Sequence, residues 1–236
     1  MWVGLLLLPG LLLGIGASAA PVLARDLRID LLEAVRINDA ARVRELVRAC
    51  VDANAREKRF GPAVVMAARQ KSFEALVALL ESPRIDLEAR NREGETALML
   101  AAFHGELPTL QALIARGAQV NQTGWTALHY AATGGDVAVI DALLAAHAYV
   151  DATSGNGTTP MMLAARQQNW SAMERLLDEG ADPTLRNQAG YDVERYLRRL
   201  GENQRAREML ARIRTFRERY YRFQDKPKDR GIVETR

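Results

Sequence analysis

Thr126-Ala127-Leu128-His129-Tyr130-Ala131-Ala132 decides the reading of this chain, because looser copies flank it. Thr96-Ala97-Leu98-Met99-Leu100-Ala101-Ala102 lies upstream, and Thr159-Pro160-Met161-Met162-Leu163-Ala164-Ala165 lies downstream. With the alanine pair as a ruler, the first residue of each copy falls at 34 (as a degenerate Ala34-Val35), 67, 101, 131 and 164, so the spacings are 33, 34, 30 and 33. Recurrence near one period marks a stacked-repeat architecture, in which each unit buries its apolar face against the next. Small alanines suit the helix faces that must approach closely. Such stacks usually bind surfaces and rarely carry out chemistry.

A second apolar helix is expected after each alanine pair. Phe73-Glu74-Ala75-Leu76-Val77-Ala78-Leu79-Leu80 and Val137-Ala138-Val139-Ile140-Asp141-Ala142-Leu143-Leu144 place apolar side chains at i, i+3, i+4 and i+7, one stripe of a helix. Turn residues follow at Gly117-Ala118-Gln119-Val120-Asn121 and Gly180-Ala181-Asp182-Pro183, where glycine supplies the left-handed conformation that ends a helix. Each repeat therefore reads as a short helical hairpin.

These stretches resemble the ankyrin repeats. The family's T-P-L-H-x-A-A is represented by Thr126 to Ala132, its G-A-D-x-N by Gly180-Ala181-Asp182-Pro183, and its Asn position by Asn54 and Asn121. The resemblance covers roughly Asp26 to Asn187, about five repeats, with a degenerate sixth to about Leu200. It implies an all-α solenoid of helix-turn-helix repeats joined by β-hairpin fingers, closed by a C-terminal capping helix. It also implies that His129 ties adjacent loops by hydrogen bonds. Three departures stand out. Cys50 occupies a turn-glycine position in the first, cap-like repeat. The turn Ser82-Pro83-Arg84-Ile85-Asp86 is one residue longer. The junction Asn121-Gln122-Thr123-Gly124-Trp125 is three residues short, which should truncate its finger and leave Trp125 near the tip.

The two ends differ from the repeats. Trp2 to Ala24 carries no charged side chain, and Ala17-Ser18-Ala19 fits a signal-peptidase site. Residues 1–24 read as a secretory signal peptide, with an uncleaved membrane anchor as the alternative. Residues 25–200 form the repeat domain. Ala206, Met209, Leu210, Ile213, Phe216 and Tyr220 keep helical spacing in a basic helix over 201–223 that caps the stack, and 224–236 is a flexible tail. From Gly190 to Arg236 there are 14 Arg/Lys against 8 Asp/Glu, so this end is basic although the whole chain carries only +3. Contact with an anionic membrane through Arg207, Arg212, Arg214, Arg217, Arg219 and Arg222 is the second reading of that helix. The 28 arginines against four lysines, with many alanines, suggest a GC-rich bacterial genome. A periplasmic or secreted location is expected, or an inner-membrane anchor facing the periplasm.

Chemistry-bearing motifs are absent. The sequence has no H-E-x-x-H, no G-x-x-x-x-G-K-[ST] and no G-x-S-x-G. The three histidines, His104, His129 and His147, fall in different repeats, and the single Cys50 reads as a semi-buried, inert thiol. The expectation is a non-catalytic module without cofactor or metal. Its partner is another protein rather than a nucleic acid, because the repeat body lacks a basic stripe with aromatic platforms. In the ankyrin family, fingers and inner helices line a concave binding surface. Transferred by register, that surface comprises Arg69, Gln70, Arg92, Glu93, Glu95, Phe103, His104, Trp125, Tyr130, Thr133, Asn156, Thr158, Arg166 and Gln167. Trp125, Tyr130, Phe103 and Arg166 are the expected anchors, since aromatic and Arg side chains dominate interface energetics.

Overall fold

Each periodic apolar stretch is a helix in the computed structural model of the protein, which describes residues 26–201 and 203–221. The expected signal peptide or anchor at 1–24 and the tail at 224–236 lie outside the described residues. The first repeat is α1 (Leu27–Arg36) and α2 (Ala40–Arg48). A hairpin of β1 (Arg56–Glu57) and β2 (Gly61–Pro62) leads into α3 (Ala63–Gln70) and α4 (Phe73–Leu79). The next three pairs are α5 (Ala97–Phe103) with α6 (Leu107–Ala115), α7 (Ala127–Gly134) with α8 (Val137–Ala145), and α9 (Pro160–Gln167) with α10 (Trp170–Asp178). α11 (Val193–Arg198) and α12 (Gln204–Tyr221) close the stack.

The helices are short, so their ends must be satisfied locally. Asp26, Asp39, Thr96, Asp136, Thr159 and Asp192 each accept a first-turn backbone N–H through the side chain. Asn38, Lys71, Gly105, Gly135 and Gln168 turn the chain from inner to outer helix with positive φ. A second left-handed series ends the outer helices at Cys50, Gly117, His147 and Gly180. The Cys50 departure is thus a true glycine-position conformation, with φ 61°. Its thiol is exposed rather than semi-buried, because the turn projects it away from the core.

Two parallel rows build the solenoid. α1, α3, α5, α7, α9 and α11 pack in sequence as the inner row, while α2, α4, α6, α8, α10 and α12 form the outer row. The alanine pairs lie at the seams: Ala67, Ala68, Ala101, Ala102, Ala131, Ala132, Ala164 and Ala165 are all buried. Leu76, Leu110, Ile140, Leu143, Met173 and Leu176 fill the space between the rows. At the C-terminal end α12 buries Ala206, Met209 and Ile213, and joins the body through Arg212–Asp178 at 2.7 Å and Arg217–Glu194 at 3.2 Å. It is the capping helix. Its apolar stripe is spent on the stack and is not turned outward.

A repeated hydrogen bond sets the spacing of the loops. Asn54 Oδ1 accepts the N–H of Asp86 at 2.8 Å, Glu88 Oε1 that of Gln119 at 2.7 Å, Asn121 Oδ1 that of Tyr149 at 2.8 Å, and Asp151 Oδ1 that of Asp182 at 3.0 Å. Each rung ties one finger to the turn of the following repeat. The fingers themselves are shorter than the family pattern implies. Only the second repeat forms a two-stranded ladder among the described residues, pairing Arg56 with Pro62 and Glu57 with Gly61. The others are tight turns without a ladder, each closed by two backbone bonds: the N–H of Asn91, Ser154 and Asn187 donates to Glu95, Thr158 and Tyr191 at 3.2, 3.0 and 3.0 Å, and their carbonyls accept from Gly94, Gly157 and Gly190 at 3.2, 2.8 and 2.8 Å. In the short junction 121–125 no such bond forms.

Candidate protein-binding surface

The inner row carries a register of surface positions. The residue after each alanine pair is Arg69, Phe103, Thr133 or Arg166, and the next is Gln70, His104, Gly134 or Gln167. Because the inner helices lie side by side, these residues form a continuous band across four repeats. Arg69, Phe103, Arg166 and Gln167 are exposed, while Gln70, His104 and Thr133 are half-buried. Thr133 spends its hydroxyl on the His129 carbonyl at 2.9 Å. The His104 ring packs edge-on against Phe103 at 5.2 Å and Phe73 at 6.2 Å. Burial, with Lys71 nearby, holds its pKa below the ordinary value against the opposing pull of Glu95.

A second band precedes the inner helices. The residue before each N-cap is Gly61, Glu95, Trp125, Thr158 or Tyr191. Trp125 therefore sits at the base of its shortened finger, directly before the N-cap Thr126, and not near the tip as expected. Its ring lies edge-on over His129 at 5.2 Å, yet 42% of the residue stays exposed. Thr158 departs from expectation: it is only 4% exposed, since its carbonyl is drawn inward by His129. Arg92 and Glu93 stand exposed on the third finger and Asn156 on the fifth, where Asn156 Oδ1 accepts the N–H of Thr158 at 3.2 Å.

Tyr130 has a different place from the one its chemistry suggested. It shares a register with Met66, Leu100 and Leu163, all buried, and it is itself half-buried and packed against the core. Its hydroxyl donates to Glu95 Oε1 at 3.3 Å, while Arg69 Nη1 reaches Glu95 Oε2 at 2.6 Å and Asn91 Nδ2 the same oxygen at 2.7 Å. Burial and the Glu95 charge push the phenol up to about 12. Arg69, Glu95 and Tyr130 thus link three repeats across the surface. Sequence reading did not find this link, because its partners lie 26 and 35 residues apart.

His129 lies under the surface. It is fully buried, and its Nε2 is 2.9 Å from the carbonyl of Thr158. A carbonyl can only accept, so Nε2 carries the proton. Nδ1 then accepts from the N–H of Thr126 at 3.2 Å and its hydroxyl at 2.9 Å. One neutral imidazole therefore caps α7 and ties the fourth repeat to the fifth finger, and burial keeps its pKa below the ordinary value. The corresponding Met99 and Met162 lack a polar ring, and there Thr96 and Thr159 cap alone. Among the described residues no group of three or more His, Cys, Asp or Glu side chains could hold a metal ion.

Comparison with known proteins follows the same geometry. A family model described as ankyrin repeats (3 copies) matches residues 31–123 and 119–187. Curated relatives include ankyrin repeat domain-containing protein 29 of Danio rerio, 36% identical over 66 residues, covering 28% of this chain and 22% of the relative. The ankyrin repeat and SAM domain-containing protein 6 of Rattus norvegicus is 33% identical over 135 residues, 57% of this chain and 12% of the relative. The chain thus spans a quarter or less of the length of these curated relatives. Among solved structures, an ankyrin repeat domain from Acinetobacter baumannii superposes with a TM-score of 0.69 at 24% identity, covering 79% of this chain and 97% of that one. The ankyrin repeat domain of Bcl-3, a member of the IkappaB protein family, gives a TM-score of 0.65 at 28% identity, covering 77% and 81%. With the alanine seams, the loop rungs and a family match across most of the repeat body, this chain belongs to the ankyrin repeat family.

Proposed function

We propose that the protein is an exported bacterial module of the cell envelope that captures a partner protein on the surface formed by its inner helices and fingers, with no reaction of its own. Ankyrin repeats generally mediate protein–protein interaction and are typically non-catalytic. One observation carries the choice of surface: Phe103 and Trp125, each 42% exposed, stand on the same side as Arg92 and Arg166, which have no ion-pair or hydrogen-bond partner among the described residues. Exposed aromatics beside available arginines on a rigid scaffold have the composition of an interface centre.

The uncharged stretch Trp2–Ala24 and the small residues at Ala17-Ser18-Ala19 support export. Mass spectrometry of the native N-terminus tests it: a chain starting near residue 20 fits a periplasmic or secreted protein, and an intact Met1 in the membrane fraction replaces that reading with an anchored one. Among the described residues no helix is long and apolar enough to cross a membrane. For the surface, Trp125→Ala combined with Arg166→Ala should abolish capture of the native partner while leaving helical circular dichroism intact. Capture at the wild-type level would remove this surface from consideration.

A further inference from the structure

The arginines of the two faces are used differently. On the outer helices several are neutralised: Arg42 meets Glu45 at 2.7 Å, Arg44 meets Glu81 at 2.7 Å, Arg175 lies between Asp141 and Glu179, and Arg212 reaches Asp178 at 2.7 Å. On the second and third fingers Arg56, Lys58, Arg59, Arg90 and Arg92 are all exposed, and none forms an ion pair with another described residue. What they touch is neutral. Arg56 Nη2 donates to the Arg90 carbonyl at 3.4 Å, Arg90 donates to the Gly94 carbonyl at 2.6 Å and to Gln122 Oε1 at 2.5 Å, and Arg59 lies over the Phe60 ring at 5.2 Å.

The carboxylates of the same fingers are already engaged. Glu57 Oε2 accepts the N–H groups of Arg59 and Phe60, both at 2.6 Å. Glu93 and Glu95 face Arg69 at 3.5 and 2.6 Å. The two fingers touch, since the Arg56–Arg90 contact joins them, and Arg90 extends the line to Gln122 beside Trp125. The surface thus has a cationic end on the second and third fingers and an aromatic centre at Trp125. The fourth and fifth fingers, 121–125 and 153–158, carry no Lys or Arg.

We infer that this surface takes an acidic segment of the partner protein, with carboxylates over the second and third fingers and an apolar side chain of the same segment against Trp125. The inference rests on the surface assignment above and adds the chemistry of the partner. Carboxylates are the natural complement, because arginine forks pair with them bidentately and exposed like charges otherwise repel. A nucleic acid backbone would need cations along the whole groove and a series of stacking platforms. Here the fourth and fifth fingers interrupt the cations, and Trp125 is the one aromatic ring on those two fingers.

The test uses full-length mature protein and four probes. They are a labelled peptide of about 12 residues repeating Glu-Leu-Asp-Asp (extended length roughly 40 Å), its Gln/Asn counterpart, oligo-dT of similar length, and vesicles of phosphatidylcholine with phosphatidylglycerol. The acidic peptide should bind about tenfold more tightly than its neutral counterpart and lose about tenfold in affinity between about 50 and about 500 mM salt. The combined variant Arg56→Glu, Lys58→Glu, Arg59→Glu, Arg92→Glu should lose this binding, while Arg48→Glu with Arg84→Glu on the outer side should keep it. Equal binding of the neutral peptide, or tighter binding of oligo-dT or the vesicles, overturns the inference. A photo-crosslinker at position 125 separates the two levels of failure. Adducts to the native partner that persist in the finger variant overturn the acidic segment and leave the surface standing, whereas adducts confined to an outer-helix crosslinker overturn both.

Discussion

His129 shows how one side chain can belong to the scaffold and still govern the surface. Its buried ring supports Trp125 from beneath and fixes the carbonyl of Thr158 in the next repeat. Burial holds its folded pKa below the ordinary 6.5, and His104 shifts in the same direction. An unfolded chain therefore takes up protons first as the pH drops, so this contribution to stability is complete above pH 6.5 and is lost below it. Urea midpoints at about pH 7.5 and about pH 5.5 should show wild type losing stability, and His129→Gln should lose less over the same interval. The substitution itself should cost about 1 kcal/mol at neutral pH, because the amide replaces only part of the hydrogen bonding. A pH dependence equal to wild type would remove His129 from the account. Backbone conformation gives a prediction of opposite sign. His147 has φ 62° where Gly117 and Gly180 hold φ 94° and 96°. His147→Gly should raise stability by up to about 1 kcal/mol, seen as a higher urea midpoint with unchanged slope.

Between elements, α5 and α7 approach closely at Gly134. A Cβ on Gly134 would stand 2.4 Å from the carbonyl oxygen of Phe103, which is backbone and cannot swing aside. Gly134→Ala should cost about 2 kcal/mol and shift the inner helices, although Gly→Ala in a helix is otherwise favourable. The capping helix makes the opposite end testable. Ile213 of α12 is fully buried against the stack. Ile213→Asp should raise hydrogen exchange in α10, α11 and α12 while α5 and α7 stay protected, since a solenoid couples mainly to its nearest neighbours. Uniform loss of protection would mean the stack unfolds as one unit. These elements were legible in the sequence to different degrees. The alanine ruler placed the inner helices, and spacing alone placed the last two, because close packing and burial both leave periodic marks. Thr158 and Tyr130 were misleading for the same reason: register marks the backbone position, but neighbours 29 and 35 residues away decide where the polar group ends. Nor did the family pattern foresee that most fingers shrink to tight turns without a ladder, held by Asx side chains such as Asn91 and Asn187.

At the scale of the whole molecule, the two faces have different tasks. The outer row pairs many of its arginines and buries its apolar stripe, and the loop rungs hold successive repeats at fixed spacing. The inner side leaves Phe103, Trp125, Arg92 and Arg166 available on that fixed frame. A preformed surface loses little conformational freedom on binding, which favours recognition over chemistry. Site-specific photo-crosslinking in the native compartment tests this division most directly. Crosslinkers at Phe103 and Trp125 on the inner side, and at Gln111 and Ala145 on the exposed outer helices, should give partner adducts only from the first pair. Adducts from Gln111 or Ala145 with none from Phe103 or Trp125 would contradict the account.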